Sequence, residues 1–410
     1  MILDELKNET VGLCVSGGLD SRTLTRKLTE LGVSVVCFTA DLGQPDERDI
    51  RAVRARMAPC GARTFIVDLK RAMAEGCFEV IRAQARYDGG YWNSTGIARA
   101  VTVQGLLPAL RRRGCTVLAH GATGRGNDQI RFERYTNVLA PAMKVYAPWR
   151  DPAMLREFPG RTQMAEYLKR HGITASAGGK KNYSTDANLA GLSHEAEDLE
   201  SLETPCTIVA PTMGVWPDRA PDRVERFEVR FERGRAARIN GKPVTPLQAM
   251  QSANRIGGRS GVGMRHALEN RVIGTKSRGV YEAPGMELLG SCLAFLYQAV
   301  LDRRATALFQ QLSSLVANQI YDGRYFDPST RAALSAIGVL AAAATGTVGV
   351  GLYKGNILFQ YLRDCPHSIY NEADASMEAS AGLNPVSSQG FVEIQSVEAR
   401  SLARAGQIRT

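Results

Sequence analysis

The sequence predicts an α/β domain built on a parallel sheet, followed by an α+β part. Three observations indicate this fold. Strand-like and helix-like stretches alternate through the first part of the chain, glycine-rich segments follow two of the strands, and hairpin patterns begin only after about residue 168. Alternation of strands and helices is typical of a parallel sheet covered on both faces. We therefore expect a boundary between the two parts near residue 168.

The first part contains four strand-like runs and the helices that connect them. In chain order we expect a strand at Val11–Val15, a helix to about Leu31, a strand at Val33–Ala40, a helix-like stretch to Met57, a strand at Thr64–Leu69, helices at Arg71–Arg86 and Gly96–Arg112, and a strand at Thr116–Ala119. Ligands of such sheets bind beyond the carboxyl ends of the strands, where both glycine-rich segments lie. The basic triplet Arg111–Arg113 suits an exposed helix end, because cations favour the negative pole of the helix dipole.

Alternating residues predict two β-hairpins in the second part. One pairs Phe227–Phe231 with Arg235–Ile239, and the other pairs Gly349–Tyr353 with Asn356–Gln360. Between the hairpins, apolar residues at helical spacing predict one or two amphipathic helices over Glu287–Gln319 and a core helix at the Ala341–Ala344 run. The last forty residues carry a weak helical pattern at Val397–Ala405.

The composition is that of a folded protein with a sizeable core. The 410 residues suit two domains, and the hydrophobic share of 44% with 22% charged residues argues against disorder. No apolar run approaches the ~18 residues of a membrane span, and Met1–Glu9 lacks the apolar core of a secretion signal. The eight cysteines are scattered without a C-x-x-C pair, which suits a reducing compartment, and the five histidines are too dispersed for a zinc site. We expect a cytoplasmic protein without a membrane partner.

The net charge of +10 is compatible with two kinds of partner. It could serve nucleic acid, or it could attract small anions such as nucleotides and carboxylates. Basic residues are spread along the chain, so charge alone does not decide between them.

The first glycine-rich segment has the features of an anion-binding loop. It follows the first strand directly and reads Ser16-Gly17-Gly18-Leu19-Asp20-Ser21. Two glycines let main-chain N–H groups approach an anion closely, and the positive end of the following helix faces it. The segment resembles the pyrophosphate loop of the N-type ATP pyrophosphatases, which cleave ATP between its α- and β-phosphates. The resemblance implies ATP binding by the run from Cys14 to Arg22, namely Cys14, Val15, Ser16, Gly17, Gly18, Leu19, Asp20, Ser21 and Arg22.

Further motifs resemble the argininosuccinate synthase family within that group. They occur in the family's order and lie at Phe38–Glu47 (FTADLGQPDE), Tyr91–Arg99 (YWNSTGIAR), His120–Phe132 (HGATGRGNDQIRF), Tyr183–Asp186, Ser193–Glu195, Glu269–Arg271 and Lys276–Glu282. The resemblance implies a Rossmann-like nucleotide-binding domain at 1–168, a synthetase and multimerisation domain at 169–370, and an oligomerisation arm at 371–410. It also implies a homotetramer.

The residue types of these motifs suit two amino-acid substrates beside a nucleotide. By resemblance, the aspartate site takes Thr123, Asn127 and Asp128, and further nucleotide contacts come from Ala40, Gly121, Thr123, Asp128 and Asp186. Arg131 can bind a substrate carboxylate through both of its terminal nitrogens. Glu195 and Glu269 are expected to hold the ammonium or ureido group of citrulline, helped by Ser184, Ser193, Tyr91 and Tyr281. Asp20, Asp128 and Arg131 are expected at the reacting groups. Taken singly, Arg131 could equally pair with a neighbouring carboxylate, and the tyrosines could be core residues.

Three positions stay ambiguous. Asp46-Glu47 could be site residues or acidic residues in the first turn of a helix. His194 suits packing better than general-base catalysis. The family's loop usually reads S-G-G-L-D-T-S, whereas here Ser21 is followed by Arg22. That cation could reach the phosphates or point elsewhere, and it hints at a divergent branch.

The resemblance implies an ATP-dependent carbon–nitrogen ligase of arginine biosynthesis. It would join citrulline to aspartate through citrullyl-AMP, with Mg²⁺ accompanying the departing diphosphate and no nucleic-acid partner. Three alternatives stay open from the sequence. They are a paralogous ligase for another ureido or amide acceptor, a tRNA-thiolating enzyme, and a silent scaffold whose nucleotide site Arg22 blocks. The scattered cysteines speak against thiolation, which generally needs a persulfide cysteine.

Overall fold

A five-stranded parallel sheet with helices on both faces forms the first part of the molecule. The computed structural model describes residues 1–88, 90–174, 183–378, 382 and 384–408. In chain order the elements of this part are β1 (Thr10–Cys14), α1 (Leu19–Glu30), β2 (Ser34–Asp41), α2 (Ala52–Met57), β3 (Arg63–Asp68), α3 (Lys70–Ala83), α4 (Ser94–Arg112), β4 (Val117–His120), α5 (Asp128–Leu139), β5 (Lys144–Tyr146), α6 (Pro152–Glu157) and α7 (Arg161–Arg170). The predicted α/β class is confirmed.

Alternate side chains of the strands pack against helices on opposite faces of the sheet. Leu13 and Val117 face one apolar cluster, which includes Leu24 of α1 and Leu168 of α7. Leu118, the neighbour of Val117, faces the other cluster, where α3 and α4 pack. Successive side chains of a strand point to opposite faces, so near-continuous apolar strands are needed to bury both.

The strand order places a crevice between β1 and β4. The sheet runs β3-β2-β1-β4-β5, so the chain leaves β1 towards one edge and later returns to the other side of it. Ligands of open α/β sheets bind at this reversal, outside the carboxyl ends of the strands. Both glycine-rich loops start there, one after β1 and the other after β4.

The second part contains two antiparallel sheets and a helical layer. Its elements are β6 (Ser184–Asn188), β7 (Gly191–Glu195), β8 (Glu225–Glu232), β9 (Arg235–Ile239), β10 (Lys242–Pro243), α8 (Pro246–Arg259), β11 (Met264–Asn270), β12 (Lys276–Glu282), α9 (Pro284–Val300), α10 (Arg303–Tyr321), α11 (Pro328–Ala341), β13 (Gly346–Tyr353), β14 (Asn356–Arg363), α12 (Glu372–Ala375) and α13 (Ser387–Arg404). One sheet has the order β10-β9-β8-β13-β14 and the other β11-β12-β7-β6.

Both predicted hairpins are confirmed. Arg233 and Gly234 both have positive φ, at 51° and 75°, and Lys354 and Gly355 repeat the pattern at 45° and 84°. Two-residue hairpin turns of this kind twist in the same sense as the strands that they join.

Glu287–Gln319 forms two helices, as one of the two predicted possibilities had it, and Asp302 caps the second one by accepting from the amides of Arg304 and Ala305. Two other helical predictions differ from the structure. The stretch before Met57 is helical only from Ala52, since Gly43 adopts a φ of +73° and Pro45 follows closely. Ala341 ends α11, so the rest of the alanine run leaves the helix.

A single apolar core joins the two parts of the molecule. One cluster contains Met73 and Phe78 of α3 together with Met286 of α9 and Phe231 of β8. Trp92 adds a polar link, since its indole N–H donates to the carboxylate of Glu287 at 2.7 Å. The site described below is therefore held between two parts that share one interior. Among the described residues, no helix has both the length and the apolar character needed to cross a bilayer.

Candidate active site

The loop after β1 presents main-chain N–H groups at the start of α1. Gly17 adopts a φ of +79°, which L side chains rarely reach, and Gly18 is the N-cap residue. Within the described chain no side chain caps this helix, so its positive end stays open. The two serine hydroxyls bond inside the loop, where the Ser21 Oγ accepts from the Ser16 amide at 3.0 Å. The loop is thus a preformed cradle for an anion.

A cleft of about 840 Å³ opens beside this loop. Eleven of the residues predicted for the nucleotide line it, namely Cys14, Val15, Ser16, Gly17, Gly18, Asp20, Ser21, Ala40, Gly121, Asp128 and Asp186. Other lining residues include Phe38, Gln44 and Leu106. In the described part of the chain the lining carries five carboxyl groups and two arginines, Arg56 and Arg99.

Three residues predicted for the nucleotide do not line the cleft. Leu19 lies on α1 behind the loop, and Thr123 is exposed on the second glycine-rich loop. Arg22 is 5% exposed, and its guanidinium donates to the Thr174 carbonyl at 2.7 Å and to the Gly18 carbonyl at 3.4 Å. The extra cation of this chain is therefore used to tie α1 to the end of the first part.

Six predicted residues share one face of the sheet β11-β12-β7-β6. Side chains two positions apart on a strand, or directly paired across strands, lie on the same face. Ser184 pairs with Glu195, and Asp186 pairs with Ser193, which in turn pairs with Tyr281. Further pairings bring Glu269 to this face, so that it carries Ser184, Asp186, Ser193, Glu195, Glu269 and Tyr281.

Tyr281 needs a glycine beside it on this face. A Cβ on Gly279 would lie 2.4 Å from the Tyr281 hydroxyl oxygen, so no other residue fits without moving the ring. The ring of Tyr91 packs against Tyr281 with centroids 4.4 Å apart. The Tyr91 hydroxyl accepts from the Thr95 amide at 2.8 Å, at the start of α4. Both predicted tyrosines are thus largely buried yet lie at the site.

A chain of charged side chains connects this face with the nucleotide cleft. Arg99 contacts Asp128 at 2.7 Å and Asp186 at 2.6 Å, and Arg131 contacts Asp128 at 3.0 Å. Burial opposes ionisation of Asp128, but the two guanidinium groups hold the pKa of its carboxyl below the usual value. Burial likewise opposes the charge on Arg99, and its two carboxylate partners raise its pKa. The buried charges therefore stay ionised as a compensated set.

Arg131 keeps one nitrogen for a partner that the described residues do not supply. Its Nε donates to the Tyr321 carbonyl at 2.9 Å, while its buried Nη2 has no hydrogen-bond partner. The Asn127 amide donates to the Tyr321 hydroxyl at 2.9 Å. A buried guanidinium N–H without an acceptor lowers the stability of the folded protein. We therefore expect this nitrogen of Arg131 to donate to an anionic ligand.

Two carboxyl groups on the sheet face have raised pKa values. Burial raises the pKa of Glu269 to about 7; a hydrogen bond from Tyr321 opposes the rise and the Glu195 carboxylate adds to it. Burial also raises the pKa of Glu195, against the effect of Arg271, whose Nη2 lies 3.5 Å from it. A cationic ligand would favour the ionised form of both groups. This end of the site suits an ammonium group.

The ambiguous positions have clear places in the structure. Asp46 and Glu47 line the cleft from the loop between β2 and α2 rather than from a helix. His194 bonds Glu282 at 2.8 Å, with both side chains 1% exposed, which supports the packing role. The Cys14 thiol lines the cleft, but burial raises its pKa to about 12, so it is a poor nucleophile.

Sequence reasoning missed three residues of the site. Arg99 ends a quoted motif, and its position eight residues after Tyr91 is the signal that could have included it. Arg56 faces the phosphate loop from α2, which no local pattern reveals. Tyr321 ends α10 and reaches the site only through the tertiary fold. In the described part of the chain, no group of three or more His, Cys, Asp and Glu residues is arranged to hold a metal ion.

Comparisons with known proteins cover almost the whole chain. A family model described as "Arginosuccinate synthase N-terminal HUP domain" matches residues 10–174, and one described as "Arginosuccinate synthase C-terminal domain" matches residues 183–402. A protein of Rhodopirellula baltica named argininosuccinate synthase is 38% identical over 395 residues, covering 96% of this chain and 97% of that protein. Proteins of the same name from Thermotoga sp. and Anopheles gambiae are 36% and 35% identical, covering 95% and 96% of this chain and 96% and 94% of theirs.

Proposed function

The chain belongs to the argininosuccinate synthase family, and on that premise we propose that it condenses citrulline with aspartate at the expense of ATP. The reaction is that of an AMP-forming carbon–nitrogen ligase of arginine biosynthesis. It passes through citrullyl-AMP and yields argininosuccinate, AMP and diphosphate. The near-full-length relatives named argininosuccinate synthase do not favour the thiolation alternative. The scaffold alternative loses its support, since Arg22 is bonded to the Thr174 carbonyl and does not line the nucleotide cleft.

One observation carries this proposal. The nucleotide cleft and the polar face of the second part are joined by ion pairs through Asp128, Arg99 and Asp186. Asp186 belongs to both, since it lines the cleft and lies on the same sheet face as Glu195 and Glu269. A nucleotide and an amino acid bound at the two ends would therefore have their reacting groups side by side.

We assign ATP to the cleft. The N–H groups that begin α1 hold its phosphates, and Phe38 and Leu106 border the less polar end of the cleft. Mg²⁺ arrives with ATP and screens the phosphate charge from the five carboxyl groups of the lining. Asp20 is one of these groups, and burial raises its pKa, so a cation close by would favour its ionised form.

We assign citrulline to the sheet face and aspartate to the second glycine-rich loop. Glu195 and Glu269 hold the citrulline ammonium group, and Arg131 uses its unbonded nitrogen for the carboxylate. Ser184, Ser193, Tyr91 and Tyr281 complete the citrulline site. Aspartate contacts Thr123, Asn127 and Asp128. These roles put each substrate charge opposite a side chain of the other sign or a neutral donor.

Two displacements complete the reaction. The ureido oxygen of citrulline attacks the α-phosphorus, and the bond to the bridging oxygen breaks so that diphosphate leaves. The aspartate ammonium group loses a proton to solvent, and its nitrogen attacks the activated carbon. The carbon–oxygen bond breaks, AMP leaves with that oxygen, and the new carbon–nitrogen linkage loses a second proton to solvent. No covalent bond to the protein forms. Alignment and main-chain N–H groups facing the developing phosphate charge supply the catalysis.

We also propose that the protein is a cytoplasmic homotetramer assembled through its C-terminal arm. The arm carries exposed apolar residues, namely Met377, Val386, Phe391, Val392, Ile394, Val397 and Ile408. An unpartnered apolar stripe of this size is typical of a subunit interface. The eight cysteines are free thiols, as suits a reducing compartment. Light scattering of the full chain would read four subunits, and a monomer would refute the assembly.

The test of the function is diphosphate release from ATP with citrulline and aspartate together and with each omitted. Full release is expected only when both amino acids are present. Release without citrulline, in the presence of another ureido or amide compound, would move the protein to the paralogous reaction.

A further inference from the structure

Arg56 lies directly against the phosphate loop. Its Nε stands 2.9 Å from the place that a Cβ on Gly17 would occupy. The guanidinium lines the cleft, and its Nη2 donates to the carboxylate of Glu47, which lines the cleft as well. Gly17 is therefore required twice, once for its positive φ and once to leave room for this side chain.

The other arginine of the cleft is not available to a phosphate. Arg99 is 16% exposed and is held by two carboxylates, Asp128 and Asp186, at 2.7 and 2.6 Å. Arg56 is 32% exposed and contacts the carboxylate of Glu47, which is 24% exposed. A single ion pair that is partly open to solvent contributes a modest net free energy, so a multiply charged anion can replace Glu47 as the partner of Arg56.

Arg22, the additional arginine of the loop, is not available to bind a phosphate either. The Arg22 guanidinium is bonded to the carbonyls of Thr174 and Gly18 and lies outside the cleft lining. In the described part of the chain, Arg56 is therefore the arginine of the lining that lies against Gly17 of the phosphate loop. Its guanidinium and the open N-terminal end of α1 border the same cleft.

We propose that Arg56 binds the β- and γ-phosphates of ATP and the departing diphosphate, exchanging Glu47 for phosphate oxygens. This inference rests on the proposed function and adds to it a residue that acts on the leaving group. A bidentate contact from a guanidinium neutralises charge that develops on the leaving oxygen as the bond to the α-phosphorus breaks. Glu47 is the resting partner, which keeps the guanidinium beside the loop when the cleft holds no nucleotide.

The experiment measures binding of inorganic diphosphate with excess Mg²⁺ to the full chain by calorimetry. Arg56→Gln should weaken binding by about 10- to 100-fold, the range of a charge-assisted hydrogen bond. Arg56→Lys, which keeps the charge but not the two-pronged geometry, should lose less. Glu47→Gln should tighten binding, because the competing carboxylate is gone. Arg54→Gln is the matched control, since Arg54 lies exposed on the same short helix.

Steady-state kinetics distinguish an effect on ATP binding from an effect on the binding of the amino-acid substrates. Arg56→Gln should raise the KM for ATP while leaving the KM for citrulline within about twofold. Diphosphate binding by Arg56→Gln equal to that of the wild-type chain would overturn the inference and leave the proposed function standing. Absence of diphosphate and ATP binding by the wild-type chain would overturn both.

Discussion

Replacing Glu269 by glutamine should stabilise the unliganded protein at alkaline pH while impairing the reaction. Glu269 is 5% exposed, accepts from Tyr321, and shares its sheet face with Glu195. Burial moves the pKa of its carboxyl from an ordinary 4.5 to about 7. The ionised Glu269 carboxylate therefore lowers the free energy of unfolding of the unliganded protein. The ammonium group of a bound amino acid would offset this loss.

The size and sign of the effect follow from that pKa. Between pH 4.5 and 7 the unfolded chain has lost the Glu269 proton and the folded chain keeps it, so stability falls as the pH rises through this range. At about 1.4 kcal/mol for each pKa unit, the total penalty above pH 7 is about 3 kcal/mol. Glutamine carries no proton to lose, so the stability difference between variant and wild type should grow by about 2 kcal/mol from pH 5.5 to pH 8.

Urea unfolding at a fixed protein concentration measures this difference. Glu166→Gln, which makes the same substitution at an exposed position on α7, is the control. Citrulline should stabilise the wild-type chain more at pH 8 than at pH 6, and it should do little for Glu269→Gln. A Glu269→Gln difference that is the same at pH 5.5 and pH 8 would refute the reasoning.

Three further substitutions test other parts of the site. Asp128→Ala should raise the KM for aspartate by about tenfold or more, because it removes a predicted aspartate contact. The KM for ATP should rise by less, and equal increases in the two KM values would contradict the assignment of Asp128 to aspartate. Arg22→Ala should lower the free energy of unfolding by about 2 kcal/mol, because the hydrogen bond to Thr174 is lost. The KM for ATP should stay within about twofold of the wild-type value. A large rise in the KM for ATP would place the guanidinium of Arg22 at the phosphates instead. Gly279→Ala should raise the KM for citrulline without changing diphosphate binding, because the new Cβ displaces the Tyr281 hydroxyl. An unchanged KM for citrulline would show that the Tyr281 ring can adopt another position that still permits citrulline binding.

The sequence was sufficient to predict four of the five strands of the parallel sheet, both hairpins and the glycine-rich loop that borders the cleft. Each of these depends on local rules, such as apolar strand runs, positive φ at Lys354-Gly355, and glycines at a strand–helix junction. The shared sheet face had a readable signal too, because Ser184 and Asp186 lie two residues apart, as do Ser193 and Glu195.

The partners of the site residues could not be predicted in the same way. Arg131 bonds the carbonyl of Tyr321, which lies 190 residues further along the chain, and only the tertiary fold brings the two together. Arg22 illustrates the same limit. Its place in the motif suggested a phosphate contact as one possibility, while its actual acceptors, including Thr174, depend on how α7 packs against α1.

The central claim is that the molecule places the ureido oxygen of citrulline against the α-phosphorus of ATP. Citrulline labelled with ¹⁸O in its ureido group tests this directly when the products are separated and weighed by mass spectrometry. The reaction described here predicts one labelled oxygen in AMP and none in diphosphate. Label in diphosphate, or AMP without label, would show that a different bond is made and would contradict the account.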